Sequence, residues 1–288
     1  MVSFKNDFMN NVLILGASGL LGQTLVRHFV ANKFRIGALS RGYKNYSNGL
    51  INSHAVDVLD FKELDLIVAQ YDIIINCIGQ ITYPIEDCIK LNSVGVKNII
   101  DSVNNNNNYL VHISTVSIYG SSPSVDEESS INPESVYGTI KYFAEYQISQ
   151  NLDNFMILRV SNLYGKGQNK GVLSYILETF FKNETQLFFN NDGSLNRYYL
   201  HINDLTSIIE MSIINQLKGV YNVTGSDSLT LKQLIALCEK ILNYTFDVSY
   251  QPTKPIDNID NIDDLKISKA IDVTFKNNLE LYLKGLVQ

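Results

Sequence analysis

The sequence predicts an α/β protein built on a doubly wound parallel sheet, followed by a small C-terminal domain. In its first half, short β-branched runs alternate with amphipathic stretches, which is typical of βαβ units. A glycine-rich turn directly follows the first of these runs and opens a helix. After Gly165 the pattern breaks into shorter pieces. We therefore assign residues 1–164 to a first domain, to which 198–224 returns, and 165–288 mainly to a second.

The first domain is predicted to contain five strands joined by four helices. The strands are Val12–Leu15, Arg35–Leu39, Asp72–Asn76, Tyr109–Ser114 and Phe155–Val160. The helices are Leu20–Ala31, Phe61–Gln70, Pro84–Val103 and Glu134–Gln150. Each helix is long enough to form a right-handed crossover between parallel strands. The asparagine run from Asn104 to Asn108 has low helix and strand propensity and is predicted to be a surface loop.

The second half is predicted to contain shorter elements, with a polar turn at 190–194 and a loop at 251–264 before short C-terminal helices. Its strands are Gln186–Phe189, Arg197–Ile202 and Val220–Val223. Its helices are Val172–Phe181, one that starts at Asn203, and Thr230–Leu242.

The composition is that of an ordinary globular protein. Hydrophobic residues make up 45% of the 288 residues, which is ample for a packed core. The formal charge of -6 argues against nucleic acid or an anionic membrane as a partner. The 3 cysteines and 4 histidines lack metal-ligand spacing, so no metal site is expected. With neither a signal peptide nor a bilayer-spanning apolar run, the protein is expected to be cytoplasmic.

The strongest local signal is the run from Gly16 to Gly22, which reads Gly-Ala-Ser-Gly-Leu-Leu-Gly and lies between a strand and a helix. A turn without side chains lets the backbone approach a pyrophosphate, and the helix N-terminus offers unpaired N–H groups to its charge. A plain turn without a ligand is the weaker interpretation, because the strand and the helix are also in place. The run predicts that the first domain is a Rossmann-type dinucleotide-binding domain.

The residues after the second strand bear on which dinucleotide binds. An acidic residue there pairs with a free ribose 2′-OH, whereas a cation or a hydroxyl accommodates a 2′-phosphate. The sequence has Ser40 and Arg41, which favours NADP(H); NAD(H) stays possible if Arg41 is only a surface residue. Asp57 and Val58 end another apolar run and would flank the adenine, or Asp57 caps the helix that starts near Asp60.

Tyr137 and Lys141 form the candidate acid/base pair. They lie in a predicted helix, where side chains four positions apart are neighbours. A cationic lysine beside a phenol favours the phenolate and lowers the pKa of the phenol, as proton transfer requires. Tyr250 and Lys254 have the same spacing, but Pro252 lies between them in a predicted loop. Nothing there would hold the two side chains on one helix face.

A third candidate segment runs from His112 to Gly120, where a predicted strand ends in hydroxyl side chains. Ligands of open α/β sheets bind at the carboxyl edge of the strands, so a hydroxyl there can donate a hydrogen bond to a substrate oxygen. Ser114 and Thr115 are the candidates, and either of them can instead cap a turn.

Taken together, these motifs resemble the extended short-chain dehydrogenase/reductase family, a group of NAD(P)-dependent nucleotide-sugar epimerases, dehydratases and reductases. The resemblance covers nearly the whole chain. Further segments that resemble the family's motifs are Asn76-Cys-Ile-Gly79, Asn92-Ser-Val-Gly95, Tyr137-Gly-x-x-Lys141, Leu158-Arg-Val-Ser-Asn162, Arg197-Tyr-Tyr-Leu-His201 and Gly219-Val-Tyr-Asn222.

The resemblance implies roles for individual residues. The family's catalytic hydroxyl lies four residues before a tyrosine, which selects Thr115 over Ser114 as the partner of Tyr137 and Lys141. The cofactor would contact Gly16, Ser18, Gly19, Leu20, Leu21, Gly22, Ser40, Arg41, Asp57, Val58, Cys77, Ile78, Gly79, Asn92, Tyr137, Lys141 and Val160. The substrate would contact Gln80, Thr115, Asn162 and Arg197, the last two at its diphosphate.

Departures from the family pattern narrow the expected chemistry. The family's dehydratases have an Asp-Glu pair directly after the catalytic threonine, where this chain has Val116 and Ser117, so dehydration is not expected. The short C-terminal part, with Ser40 and Arg41, resembles reductases of 4-keto-6-deoxy sugar nucleotides such as the CDP-abequose and CDP-paratose synthases. The resemblance also implies a homodimer.

The sequence therefore predicts an NADPH-dependent reductase of a nucleotide-linked 4-keto-6-deoxyhexose. Thr115 would hydrogen-bond the ketone oxygen, Tyr137 would protonate the developing alkoxide, and Lys141 would hold the nicotinamide ribose. A nucleotide-sugar 4-epimerase with a retained NAD would use the same residues and is the first alternative. A non-catalytic NADP-binding regulator of the same fold is the second, and the intact catalytic residues weigh against it.

Overall fold

A computed structural model describes residues 11–42, 46, 48–79, 83–253 and 256–287. Gln80, expected to contact the substrate, and Lys254 lie outside the described residues.

The described residues form strands and α-helices throughout both halves of the chain. The strands are β1 (Asn11–Leu15), β2 (Arg35–Ser40), β3 (Ile51–Ala55), β4 (Ile73–Asn76), β5 (Tyr109–Thr115), β6 (Phe155–Val160), β7 (Asn162–Tyr164), β8 (Gln186–Phe189), β9 (Asn196–His201), β10 (Gly219–Val223), β11 (Asp227–Thr230) and β12 (Asp247–Tyr250). The helices are α1 (Leu20–Ala31), α2 (Phe61–Val68), α3 (Ile85–Lys90), α4 (Val96–Asn106), α5 (Val136–Asn151), α6 (Val172–Phe181), α7 (Ile202–Ile214), α8 (Leu231–Leu242), α9 (Leu265–Ile271) and α10 (Leu279–Lys284).

The largest sheet has seven strands in the order β10-β6-β5-β4-β1-β2-β3. The neighbours from β3 through β2, β1 and β4 to β5 all pair in parallel. From β1 the chain adds strands outward in one direction and then starts again on the other side with β4, so the order reverses between β1 and β4. The predicted doubly wound parallel sheet is confirmed, and its topological switch point is where such sheets bind ligands.

Two compact units divide the chain, and neither is a single stretch of sequence. The first consists of the chain up to Thr115 together with Val136–Arg159 and Thr206–Tyr221. The second consists of Val116–Ser135, Val160–Leu205 and the chain from Asn222. The boundary predicted at 164/165 did not anticipate that 116–135 belongs with the second unit. Apolar periodicity along the chain reports which elements exist, whereas unit membership depends on contacts between distant segments.

Each unit has its own hydrophobic core. In the first, Leu13, Ile74, Leu110 and Ile157 are completely inaccessible to solvent, because helices cover both faces of a parallel sheet. In the second, four fully buried leucines come from the three elements β8, α8 and α10. They are Leu187, Leu234, Leu279 and Leu283.

The helix predicted over Pro84–Val103 is interrupted by a π-helical turn. Helix α3 ends at Lys90, the turn spans Leu91–Gly95, and α4 begins at Val96. One residue is inserted into the hydrogen-bond ladder of such a turn, and π turns often occur at functional sites. The turn contains Asn92, which the sequence assigned to the cofactor site. The apolar spacing of residues 84–103 does not indicate the π turn, so the prediction of one uninterrupted helix was wrong.

The asparagine run is not the surface loop that the sequence predicted. Asn104 lies in α4, which continues to Asn106, and Asn107 ends the helix in the left-handed conformation at φ 53°. Asparagine adopts that conformation more readily than most residues. Asn108 is only 5% exposed, and its amide nitrogen donates to the Tyr71 carbonyl oxygen. Tertiary hydrogen bonds therefore override the low helix propensity of the run.

Four short strands were not predicted from the sequence, namely β3, β7, β11 and β12. Strand β3 reads Ile-Asn-Ser-His-Ala and pairs with β2 at the sheet edge, where little apolar alternation is needed. Strand β12 ends at Tyr250, directly before the predicted loop at 251–264. In the predicted loop at 251–264, Ile259 and Ile262 are buried and form isolated bridges to Ser122 and Val125.

Among the described residues, no helix has the length and hydrophobicity needed to cross a membrane. The same part of the chain contains no group of three or more His, Cys, Asp or Glu side chains that could hold a metal ion.

Candidate functional site

The glycine turn after β1 follows a tight backbone path. Gly16 has φ +84°, and its N–H donates to the Leu39 carbonyl oxygen of β2 at 3.0 Å. A Cβ on Gly22 would lie 2.2 Å from the Gly16 carbonyl oxygen. Only glycine at position 22 therefore lets the first turn of α1 pack this closely on the end of β1.

The N-terminus of α1 offers main-chain donors to an anionic group. Gly19 is the N-cap, so no side chain caps the helix, and the first turn holds no acidic residue. Ser18 and Gly19 are exposed, while Leu21 is 8% exposed and packs inward. Because the first N–H groups of a helix have no intrahelical partner, this end suits a pyrophosphate. The residues present fit the dinucleotide that the sequence predicted.

The residues after β2 differ in how accessible they are. Ser40 ends β2 with 9% exposure, and its hydroxyl donates to the Gly42 carbonyl oxygen at 2.7 Å. In this arrangement the serine hydrogen is already used, so a 2′-phosphate would rely on Arg41, which is exposed. A contact between Ser40 and the cofactor stays a prediction.

Asp57 and Val58 have separate roles in the structure. The Asp57 carboxylate accepts from the Leu59 N–H at 3.0 Å, whereas the N-cap of α2 is Asp60. Val58 is 2% exposed, packs in the first core, and its carbonyl oxygen accepts from the Asn98 amide. The Val58 side chain is thus part of the core, and a contact of this residue with the adenine stays a prediction.

The end of β4 lies next to the glycine turn. A Cβ on Gly16 would lie 3.1 Å from Cγ1 of Ile78, so the turns after β1 and β4 are in contact across the switch point. The Asn92 amide nitrogen donates to the Gly79 carbonyl oxygen at 3.1 Å and to that of Cys88 at 2.9 Å, which ties this turn to α3. Burial raises the pKa of the Cys77 thiol to about 12, so Cys77 stays a neutral side chain.

Two neighbouring hydroxyl residues end β5. Ser114 is completely buried, and its hydroxyl donates to the Glu145 carboxylate, which also pairs with Arg159 at 2.9 Å. The Ser114 hydroxyl is therefore already engaged in a buried network with the ion pair of Glu145 and Arg159. Thr115 is the last strand residue and is 9% exposed. The geometry supports the choice of Thr115 over Ser114.

Tyr137 and Lys141 both lie on α5, as the sequence predicted. Lys141 is completely buried, and its Nζ donates to the Ile113 carbonyl oxygen at 2.8 Å. Burial raises the pKa of Tyr137 above its ordinary value, and the Cys88 thiol acts in the same direction. The expected lowering of the tyrosine pKa by Lys141 is therefore not found in the protein alone. Tyr137 is a neutral phenol, and Lys141 is held by the sheet.

Two residues beside this lysine were not predicted to belong to the site. They are His112, which contacts Lys141, and Asn76, which contacts His112. His112 Nε2 lies 3.2 Å from Lys141 Nζ, and His112 Nδ1 lies 3.0 Å from the amide nitrogen of Asn76. Burial and the lysine charge lower the pKa of His112 well below its ordinary value, so the imidazole is neutral. The signal that could have found them is the β4–β5 register, which places Asn76 opposite His112.

The residues expected at the substrate diphosphate belong to the second unit. Asn162, in β7, is exposed, and its amide donates to the Tyr198 carbonyl oxygen at 3.3 Å. Arg197, in β9, donates to the carbonyl oxygens of Asn196, Ile256 and Asp257. Three main-chain bonds thus hold the guanidinium that was expected to bind a phosphate. Val160, expected at the cofactor, ends β6 and is 6% exposed.

Comparison with proteins of known sequence gives relatives along most of the chain. A Methanocaldococcus jannaschii protein, named provisionally as a UDP-glucose 4-epimerase, is 25% identical over 94% of this chain and 94% of its own length. The dTDP-4-dehydro-6-deoxyglucose reductase of Escherichia coli is 26% identical over 84% of this chain and 85% of its own.

Among solved structures, the UDP-glucuronic acid 4-epimerase of Bacillus cereus, in complex with UDP-glucuronic acid and NAD, superposes with a TM-score of 0.84. The match covers 95% of this chain and 96% of that one at 18% identity, so it shows a shared fold. The sequence model of the NAD dependent epimerase/dehydratase family matches residues 12–224, from β1 to just beyond β10. This chain is a member of the NAD dependent epimerase/dehydratase family.

Proposed function

We propose that the protein is an NADPH-dependent reductase of the 4-keto group of a nucleotide-linked 4-keto-6-deoxyhexose. The observation that carries this proposal is the end of β2, where Arg41 is exposed and neither Ser40 nor Arg41 supplies a carboxylate for a free ribose 2′-OH. This end suits NADP(H), which a reductase takes up and releases in every turnover, whereas an epimerase profits from a retained NAD. The positions of Val116 and Ser117, which carry no carboxylate, support reduction over dehydration.

In this proposal a reduced nicotinamide, when bound, supplies a hydride to the ketone carbon. The main-chain N–H groups at the start of α1 bind the pyrophosphate and so position the cofactor at the switch point. Thr115 donates a hydrogen bond to the ketone oxygen and orients it toward Tyr137. Tyr137 then gives its proton to the oxygen as negative charge develops there. Lys141 in its charged form stabilises the phenolate that remains.

The preference for NADPH over NADH rests on Arg41. Its side chain is exposed just beyond the carboxyl end of β2, where the ribose 2′ position is bound in this fold. A guanidinium forms charge-assisted hydrogen bonds with a phosphate, and no carboxylate stands at positions 40 or 41 to recognise a free 2′-OH. Binding of the substrate diphosphate is assigned to Asn162 and Arg197, which requires Arg197 to exchange at least one main-chain contact for a phosphate oxygen.

We further propose that the protein forms a homodimer through α5. This helix carries three exposed aromatic side chains, Tyr142, Phe143 and Tyr146, between 36% and 52% exposed. Ile89 of α3 and Val94 of the π turn, two segments that pack on α5, are about half exposed as well. An exposed apolar surface of this kind is typical of a protein interface.

A cytoplasmic location, expected from the sequence, stays a prediction.

A nucleotide-sugar 4-epimerase is the second candidate, because two of the proteins compared above carry that activity in their names. The two functions differ in how they use the cofactor. An epimerase recovers its own hydride in each cycle and profits from keeping NAD bound, whereas a reductase must release NADP and reload after each turnover. A regulator without catalysis would bind NADP and turn over neither substrate.

The experiment that tests the proposal uses the purified protein with dTDP-4-dehydro-6-deoxyglucose and NADPH. The NADPH absorbance is expected to fall, and a 4-hydroxy product should appear in an equimolar amount. A separate sample of the purified protein, denatured without any assay, should release little NAD. The same assay with NADH and with the UDP- and CDP-linked ketosugars tests cofactor and base.

The opposite pattern would overturn the proposal. If the protein carries near-stoichiometric NAD and interconverts two nucleotide sugars without net change in cofactor absorbance, it is an epimerase. If it binds NADPH but turns over none of the ketosugars and no epimerase substrate, the regulator interpretation replaces both.

A further inference from the structure

A chain of three polar side chains runs through the interior of the first unit beside the candidate catalytic lysine. Asn76, His112 and Lys141 are each no more than 1% exposed. Asn76 and His112 contact each other across β4 and β5, with 3.0 Å between the amide nitrogen and Nδ1. His112 Nε2 then lies 3.2 Å from Lys141 Nζ. The catalytic roles proposed above do not explain why a lysine amine is placed against an imidazole.

The direction of the first hydrogen bond follows from Ile78. The Ile78 N–H donates to Oδ1 of Asn76 at 3.0 Å, which fixes the orientation of the amide. With the amide turned over, its NH₂ group would face the Ile78 N–H, and two donors would be left opposing each other. The NH₂ group of Asn76 therefore donates to His112, and Nδ1 of His112 must carry a lone pair.

The direction of the second hydrogen bond follows from the first. A neutral imidazole has one N–H, which must then be on Nε2 and point at Lys141. His112 is neutral because complete burial lowers its pKa well below the ordinary value, and this holds when Lys141 is neutral as well. An amine can accept this hydrogen through its lone pair, whereas an ammonium group has three donors and no acceptor. The contact is thus a hydrogen bond only while Lys141 is neutral.

We propose that His112 is a positioning residue for Lys141, fixed by Asn76 in the Nε2–H tautomer and favouring the neutral form of the lysine. Protonation of Lys141 breaks its bond to His112 and produces the ammonium that stabilises the Tyr137 phenolate. Asn76 and His112 together therefore set the pH above which the lysine ceases to assist. The inference rests on the proposed function for the catalytic role of Lys141, but the tautomer and the lysine charge do not depend on it.

Other groups around Lys141 act on the same equilibrium. Burial lowers the pKa of Lys141 to about 8, against smaller opposing effects of Glu145, Cys88 and Cys77. Glu145, on the same helix, is already paired with Arg159. The donor at His112 acts in the same direction as burial. Because the lysine is charged below its pKa and neutral above it, ketone reduction should fall as the pH rises through about 8.

The direct test is nuclear magnetic resonance on the full-length protein without substrate. The ¹⁵N shifts of imidazole nitrogens distinguish the tautomers, and the His112→Phe variant identifies the His112 signals among those of the other histidines. Lysine labelled with ¹³C at Cε reports the titration of Lys141. An Nε2–H tautomer with a lysine that titrates far below its ordinary range is expected. An Nδ1–H tautomer in the unmodified protein would overturn the inference.

The variant Asn76→Leu tests the dependence on Asn76. Without the amide donor, His112 is free to place its hydrogen on Nδ1 and to accept from the lysine ammonium. The pKa of Lys141 and the basic limb of the kcat/KM profile should both move up by about one pH unit, as expected for one hydrogen bond gained by the charged form. Where Asn76→Leu does not fold, Asn76→Asp retains the acceptor for Ile78 and should shift the limb in the same direction.

The matched control is Asn108→Leu, which removes a buried asparagine amide from the same unit. It should lower stability and leave the lysine titration and the pH profile in place. An equal shift in this control, or none in either Asn76 variant, would overturn the role of His112. If the spectroscopic results hold while none of the ketosugars is reduced, the proposed function fails and the lysine–histidine arrangement stands.

Discussion

At the scale of single residues, Ser114 and Thr115 show how one step along a strand separates two similar side chains. Successive residues of a strand point to opposite faces of the sheet. Ser114 donates to the buried Glu145 carboxylate, and Thr115 points the other way at the carboxyl edge. A substitution of Ser114 should therefore disturb the ion pair between Glu145 and Arg159. A substitution of Thr115 should instead remove the proposed hydrogen bond to the substrate. The chemistry of a hydroxyl is set here by its place in the pleat.

The first prediction concerns Tyr137. The substitution Tyr137→Phe removes the proposed acid and should lower kcat for ketone reduction by about 100- to 10,000-fold, the usual contribution of general acid catalysis. NADPH affinity and the thermal unfolding midpoint should change little, as fluorescence titration and calorimetry would show. The matched control is Tyr250→Phe in β12, at the other tyrosine that precedes a lysine by four positions. Comparable activity in both variants would remove Tyr137 from the mechanism.

The second prediction concerns the choice of cofactor. Arg41→Ala should weaken NADPH binding by about 10-fold or more, as for one lost charge-assisted hydrogen bond, and leave NADH binding nearly unchanged. Arg35→Ala is the control, because Arg35 is exposed at the opposite end of the same strand. Titration of intrinsic fluorescence with each cofactor gives both constants. An unmodified protein that binds NADPH and NADH equally would contradict the role of Arg41.

The sequence indicates candidate site residues but not the partners of those residues. The glycine turn, Thr115, Tyr137 and Lys141 carry spacing that the sequence displays. That Ser40 donates to Gly42 and that Val58 is a core side chain depend on a local fold that spacing does not encode. Two of the three carbonyl contacts of Arg197 bring together segments about 60 residues apart in sequence. Such contacts could not be predicted from one chain without its tertiary structure.

At the scale of elements, the junction of β1 and α1 depends on the absence of a side chain. Gly22→Ala would place a Cβ 2.2 Å from the Gly16 carbonyl oxygen, so α1 must move away from β1. We expect a loss of about 1–3 kcal/mol in the free energy of unfolding, typical of overpacking, and at least a 10-fold weaker affinity for NADPH. Chemical denaturation and cofactor titration would measure the two effects.

The control for this helix junction is Gly49→Ala, where a Cβ would meet nothing within 4 Å. Its stability and cofactor affinity should stay close to those of the parent protein. A Gly22→Ala protein that binds NADPH as tightly as the parent would show that the close approach of α1 is dispensable.

Elements with strong apolar periodicity were predicted nearly to the residue. Helix α6 and strand β8 have the predicted bounds, and α1 does as well. The failures have a common physical cause, since β3 and the π turn are accompanied by hydrogen bonds that apolar periodicity does not indicate. Strand β3 exists because β2 offers it a ladder, and the π turn is accompanied by the Asn92 contacts to Cys88 and Gly79.

At the scale of the whole molecule, the exposed aromatic side chains of α5 predict the oligomeric state. Tyr146→Glu introduces a charge into the proposed interface, where burial of an unpaired charge is costly. The parent protein should have the mass of a dimer in light scattering, and this variant that of a monomer. Phe188→Glu, at a residue of β8 that is 62% exposed, is the control and should leave the mass unchanged. A monomeric parent would exclude the proposed dimer.

The asparagine run has a consequence for mutations that change the length of a repeat. Its five identical residues have different tasks: Asn104 donates to Asn151, Asn105 and Asn106 donate to Asp65, Asn107 reverses the backbone, and Asn108 bonds to Tyr71. Loss of one asparagine codon would leave a composition almost unchanged. It would also draw β5 back by one position, and a one-residue slip turns every side chain of a strand to the opposite face. The hydroxyl at the sheet edge and the serine bound to Glu145 would then exchange sides.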